Sequence, residues 1–302
     1  MLETEKHDVT KHTGEGYSGE IKASFIVHGG VTKLQTKYHK SPLKIAKTFT
    51  REKGQLGVCV MDCSPGMMAG DRYRLEWLLG AETSVFLNNQ STTKIHPSRE
   101  RPCEQKQTFT LERNAFLQYR PEPIMLFKDA NYSTHTNVYM EQGAVLFYSD
   151  IVCSGRALRG ELFQYAKYES SLHVFMSNEQ VYANRQVVEP KSESEPVSQE
   201  SKAITGKPYA MGQENEMFTS HHNLGSWENH THQGTFYLFS DRITKEFIPP
   251  LRRMLLNYPH LLSGVSLTYK HGIYLSILGK SAWELQQPIQ EAWEICQTNV
   301  GF

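Results

Sequence analysis

Along residues 19–34 and again along 43–50, apolar and polar side chains alternate with the period of two that a half-buried strand requires. An apolar, cysteine-bearing strand over 56–62 follows. It breaks at Ser64-Pro65-Gly66-Met67-Met68-Ala69-Gly70-Asp71, where proline fixes φ and the glycines permit positive φ. Beyond this loop the pattern repeats. Residues 73–79 lead through Gly80-Ala81 to 84–87, residues 108–113 through Asn114-Ala115 to 116–119, and residues 135–140 through Gly143-Ala144 to 145–148. A weaker fourth copy runs over 172–176, turns at Asn178 and returns through Val181. Units about thirty residues apart predict a mainly β protein, an elongated layered or helical stack of β-strands and hairpins, with a two-sheet sandwich as the alternative.

Further along, 217–219 and 234–240 read as strands and 264–278 as a strand or hairpin. Two C-terminal helices are expected. The first spans 241–257, with Asp241 as N-cap and Pro249-Pro250 kinking or restarting it. The second spans 281–299, with Trp283, Ile289, Trp293 and Cys296 on a shared face despite Pro288. Residues 1–20 read as a flexible N-terminus and 21–302 as a single β-rich domain. Within that domain the Ser/Glu-rich stretch 189–203 is expected to be a disordered loop.

Composition narrows the function classes. Thirty-two Lys and Arg balance 32 Asp and Glu, so no global field draws the chain to nucleic acid or an anionic membrane. Five cysteines without a Cys-x-x-Cys pair fit a reducing compartment, and the absence of an apolar leader or span fits a cytoplasmic protein. Gly14-Glu15-Gly16-Tyr17-Ser18-Gly19 matches G-x-G-x-x-G, but no strand precedes it and no helix pattern follows, so it is empty as a nucleotide signature. There is no G-x-S-x-G, no H-E-x-x-H and no complete Walker A.

Four local features could carry chemistry. His221, His222, His230 and His232 have spacings that suit Ni²⁺, Cu²⁺ or Zn²⁺, the bland reading being a His-rich polar loop. Cys59 and Cys63 lie on one side of a strand, as a soft-metal pair or as small buried hydrophobes. Asp71 and Asp150 sit at strand boundaries, where an acid either caps a turn or meets a cation. Lys94 and His96 could face a partner or an anion, or simply water.

Taken in order, Ser64 to Asp71, Gly80-Ala81, Gln90 to Pro97, Arg120-Pro121-Glu122-Pro123 with Phe127, Asp150 to Arg156, and Gly160-Glu161 resemble the urease accessory protein UreD (UreH) family. The likeness covers 56–163 and, more weakly, extends to 239. Met67 and Asn88-Asn89 depart from its pattern. The resemblance implies a non-catalytic factor in a layered β fold with two C-terminal helices. It would bind apo-urease and act with a UreF-like helical protein and a UreG-like GTPase in nickel insertion, holding no tight cofactor and meeting Ni²⁺ only transiently. Matched residue by residue, it assigns Asp71, Asp150, Arg156 and Glu161 to the family motifs. Asp71 and Asp150 would then line a polar path for hydrated Ni²⁺, with an Arg156–Glu161 ion pair fixing its geometry. Two rival readings are a metal-dependent enzyme using the His221 to His232 cluster and a β-rich small-ligand-binding module.

Overall fold

The computed structural model describes residues 16–190 and 227–300. Residues 1–15, most of the 189–203 stretch, the 217–219 strand, His221 and His222 lie outside the described residues. The chain opens with a hairpin of β1 (Gly19–His28) and β2 (Val31–Lys40), followed by the short β3 (Leu43–Ile45) and β4 (Phe49–Thr50). Next come β5 (Leu56–Asp62), β6 (Arg72–Leu79), β7 (Ser84–Asn89), β8 (Thr93–Ile95), β9 (Cys103–Leu111), β10 (Phe116–Tyr119) and β11 (Ile124–Leu126). The stack continues through β12 (Asn131–Met140), β13 (Val145–Cys153), β14 (Lys167–Met176) and β15 (Glu179–Val188). Finally β16 (His232–Phe239) leads to helix α1 (Ile248–Leu255), the hairpin β17 (Leu262–Leu267) and β18 (Gly272–Gly279), and helix α2 (Ala282–Val300).

Two sheets face each other. One has the order β15-β14-β12-β9-β6-β1-β2; the other runs β17-β18-β16-β13-β10-β7-β5-β3. The repeat explains this arrangement. Each unit places its first strand in one sheet and its second in the other, so the two strands of a unit do not pair with each other. They pair in parallel with the next unit instead: β6 with β9 and β9 with β12, opposite β7 with β10 and β10 with β13. The expected stack is therefore present, but its first three units are arches between sheets. Only the fourth copy, β14 and β15, is a true hairpin.

The turns stack as well. Each turn hands a backbone N–H to the rung before it: Glu112 to Leu79 and Glu141 to Leu111 in the arches, Ser177 to Met140 in the hairpin. Glu82, Asn114 and Gly143 hold positive φ at equivalent places. Asn114-Ala115 and Gly143-Ala144 thus align with Glu82-Thr83 rather than with Gly80-Ala81.

Inward-facing residues of both sheets form one core, including Trp77, Phe109, Leu117, Val138 and Leu146. The second core lies on the outer face of the β13-β16-β18 region, under α1 and α2. There Trp293 packs against Phe116 and Phe147 at centroid distances of 5.5 and 4.9 Å. Helix α2 agrees with its expected span, and Ile289, Trp293 and Cys296 are buried. Trp283 does not join them: it is 69% exposed, two residues and about 200° around the helix from buried Leu285. Helix α1 is shorter than expected because Pro249 and Pro250 occupy its first turn, where no N–H is needed. Asp241 does not cap it; its carboxylate accepts the Gly143 N–H at 3.0 Å. All five cysteines are free. Among the described residues, no helix is long and apolar enough to cross a membrane.

Candidate functional site

The strand registers place polar side chains inside the sandwich, where alternation would otherwise put apolar ones. In the first sheet Gln105 lies between Tyr73 and Thr134, and Thr134 beside Ser170. In the second, Asp150 lies beside Thr235, itself beside Ser276. One rung deeper, Tyr119, Tyr148, Tyr237 and Tyr274 stand side by side across four strands, with successive ring centroids 5.1, 6.0 and 5.0 Å apart. Between the sheets is a cavity of about 110 Å³, room for several waters. Its inner wall includes Gln105, Tyr132, Thr134, Tyr148 and Asp150; its outer part is built by Asp62, Ser64–Gly66, Asn88–Lys94, Pro121 and Glu122.

Asp150 is the acid on the inner wall. The surface it keeps opens onto the cavity, and its Oδ1 accepts a 2.5 Å hydrogen bond from Thr235 Oγ1. Burial pushes its carboxyl up to about 6, the Thr235 hydroxyl offsetting only part of this. Burial, and then the Asp150 charge, drive the Tyr148 and Tyr168 phenols well above their ordinary value, so these rings keep their protons. Trp77, a residue of the cavity wall, has its Nε1 buried without a hydrogen-bond partner among the described residues.

The other motif residues lie outside the cavity lining. Asp71 closes its own loop: Oδ2 accepts the Met68 N–H at 2.7 Å, and its N–H returns to the Met68 carbonyl. Asp71→Ala is expected to cost about 1–2 kcal/mol, the value of a charge-assisted bond to backbone, read as a lower urea midpoint with an unchanged slope. Arg156 and Glu161 form a two-bond pair, Nε–Oε2 2.7 Å and Nη2–Oε1 2.6 Å, which holds the Glu161 carboxyl below its usual range. The guanidinium lies 4.0 Å over the Phe127 ring. This pair braces the corner after β13.

That corner joins the motifs in space. Met67 bridges Ile95 and Ile95 pairs with Leu126. His96 Nε2 lies 3.2 Å from the Pro65 carbonyl oxygen, and its ring meets Phe127 edge-on at 5.0 Å. Met67 is fully buried, a core side chain of the stack. The segments around 64–71, 94–97, 127 and 155–161 are therefore successive corners of one column, and Gln90–Thr93 with Pro121-Glu122 form the mouth below it.

The remaining candidates do not converge. His232 opens β16, and His230 precedes the strand, so the two are not paired on one strand face. His230 Nδ1 lies 3.2 Å from the Trp227 carbonyl oxygen, and His232 Nδ1 lies 2.9 Å from Thr231 Oγ1. Burial lowers the His232 pKa. Cys59 and Cys63, four residues apart on extended chain, are about 13 Å apart, too far for one metal or a disulfide. Among the described residues no three His, Cys, Asp or Glu side chains gather into a metal-holding group. The sequence reading missed Asp62, Gln105, Glu122, Thr235 and the tyrosine rung. For the strand residues among them the signal was polar side chains in the inward phase, as at Gln105 and Gln107 in CEQKQTFTL; Glu122 lies in the loop between β10 and β11.

The family model described as UreD urease accessory protein matches residues 17–301. The chain belongs to the UreD family. It is 32% identical over 261 residues to the urease accessory protein UreD of Acetivibrio thermocellus, covering 86% of this chain and 90% of that one. The UreD of Lachnoclostridium phytofermentans is 26% identical over 282 residues, covering 93% and 92%. The urease accessory protein UreH of Helicobacter hepaticus is 29% identical over 157 residues, covering 52% and 62%. Membership of the UreD family makes the chain a urease accessory protein.

Proposed function

We propose that this UreD-family chain is a non-catalytic maturation factor. It binds apo-urease, works with a UreF-like helical protein and a UreG-like GTPase in the cytoplasm, and passes nickel through its inter-sheet cavity. The observation that carries the reading is Asp150, a half-buried acid on the wall of a cavity with room for several waters. A nickel ion in transit must be held weakly enough to leave. Carboxylates spaced along a path, with amide and hydroxyl oxygens between them, suit a hydrated divalent cargo better than a closed thiolate or imidazole cage. Asp62 and Glu122 stand in the outer part of the cavity and Asp150 on its inner wall, so a cation would meet carboxylates in succession.

Asp62 is already engaged by Ser64 and by the Tyr73 hydroxyl at 3.1 Å, which fixes its orientation. Asp150→Asn tests the reading in cells co-expressing urease with its accessory proteins. The expected result is severalfold lower nickel per urease active site with the accessory complex still assembled. Full nickel loading would exclude Asp150 as part of the path.

A further inference from the structure

Arg51 and Arg120, on the outer face of the second sheet, share one aromatic ring. The Arg51 guanidinium carbon lies 3.8 Å over the centroid of Phe86, and that of Arg120 lies 5.7 Å from it. Phe86 is buried between Gly57 of β5 and Gln118 of β10. Two like charges therefore share one ring, and neither forms an ion pair with a carboxylate among the described residues. Arg120 donates to the side-chain oxygen of Gln290. Arg51 Nη1 is buried without any hydrogen-bond partner there. Burial and the Arg120 charge lower the Arg51 pKa, and Glu52 offsets this only in part.

Five other arginines are arranged differently. Arg72, Arg74, Arg99, Arg156 and Arg185 each meet a carboxylate within 4 Å. Residues 21–54, which end beside the pair, carry eight Lys and Arg against the single acid Glu52. Lys33, Lys37, Lys44 and Lys47 of that stretch are exposed. Lysines along sheet edges also discourage edge pairing, but edge protection does not explain a partly buried arginine pair with an orphaned donor. Burying a guanidinium donor without an acceptor is costly, and an oxyanion, carboxylate or phosphate, is the group that a guanidinium fork accommodates.

We propose that Arg51 and Arg120 form an oxyanion clamp over Phe86, taking a carboxylate or phosphate group. The anion comes either from a free small molecule or from a bound protein's acidic side chain. Arg120 is two residues from Glu122 at the cavity mouth, so a protein bound through the clamp would sit beside that mouth. This last step and the protein arm of the test below rest on the proposed function.

The test uses the full chain, wild type and Arg51→Gln, with two arms. In the first, thermal melts and titration calorimetry at constant ionic strength use sodium acetate and inorganic phosphate as probes. In the second, affinity is measured for apo-urease and for the helical accessory partner, with Arg51→Lys added. Losing a charge-assisted pair of bonds should weaken binding about tenfold or more in Arg51→Gln, with part of it retained by Arg51→Lys. Weakening in the first arm identifies a free anion as the occupant; weakening in the second alone identifies a protein carboxylate. Wild-type behaviour of Arg51→Gln in both arms overturns the clamp. Asp150→Asn should leave both arms unchanged, so a failed conduit and a failed clamp give different results.

Discussion

Asp150→Asn is expected to raise the melting temperature by several degrees above pH 6 and to leave it nearly unchanged near pH 4. The carboxyl is pushed from an ordinary 3.8 up to about 6 by burial. A folded-state pKa above the unfolded one means that, between those values, the folded chain keeps a proton the unfolded chain has released. Stability must then fall as pH rises through that window, by about 1.4 kcal/mol per unit, and level off above pH 6. The full loss is at most about 3 kcal/mol, and less where cavity water solvates the carboxylate. Asparagine keeps an acceptor for the Thr235 hydroxyl and carries no charge, so it escapes the loss. Parallel pH profiles for the two proteins between pH 4 and 8 would show that Asp150 is fully solvated. The same substitution is expected to lower nickel loading of urease. Gaining stability while losing function is the signature of a buried charge kept for what it does.

How much of this was legible in the sequence follows from which physical signals are local. Alternation in β6, β9, β12 and their partners is a one-dimensional signal, and it gave the strands, their thirty-residue period and the stack. Arch and hairpin, however, share one local pattern: strand, tight turn, strand. Which one forms depends on whether the second strand finds its neighbour in its own unit or in the next, a contact of long sequence separation. The turn alignment was misleading for the same reason, since Gly80-Ala81 resembles Gly143-Ala144 while the hydrogen bonds align Thr83 with Ala144.

The site divides along the same line. Asp150 stood out as a short acid at an expected strand boundary; the structure instead runs β13 on to Cys153, so Asp150 lies within the strand, on the cavity wall. Asp71 also stood out, because tight turns concentrate the same residue types as sites do, whereas Arg156 and Glu161 came from the family resemblance alone. Gln105 and Thr235 were hidden among ordinary strand residues, and only strand pairing sets Gln105 between Tyr73 and Thr134 and Thr235 beside Asp150.

Gly155→Ala is expected to be the most damaging of the corner substitutions, losing more than about 3 kcal/mol, as a decrease in urea midpoint with aggregation on expression. Gly155 holds φ +143°, a region that side-chain-bearing residues rarely adopt, and a Cβ there would lie 1.8 Å from the Glu161 carbonyl oxygen. The obstacle is backbone, so no rotamer change relieves it. Two neighbours on the same stack separate the causes. Gly160, five residues on, has φ +71° with nothing within 4 Å of a built Cβ, so Gly160→Ala should cost only the left-handed backbone term of about 1–2 kcal/mol. Gly143 has φ +75°, and its Cβ would meet Asn114 Oδ1 at 2.0 Å. That atom is at the end of a side chain and can rotate away, so Gly143→Ala should fall between the other two. Equal losses for all three would mean that backbone conformation alone sets the cost and that the Gly155–Glu161 approach is soft. A loss confined to Gly155 would show that this approach is rigid. The Arg156–Glu161 pair, which spans the same two strands of chain and stacks on Phe127, is what makes it so: with the pair in place the Glu161 carbonyl cannot retreat. Glu161→Gln combined with Gly155→Ala should therefore cost less than the sum of the separate changes.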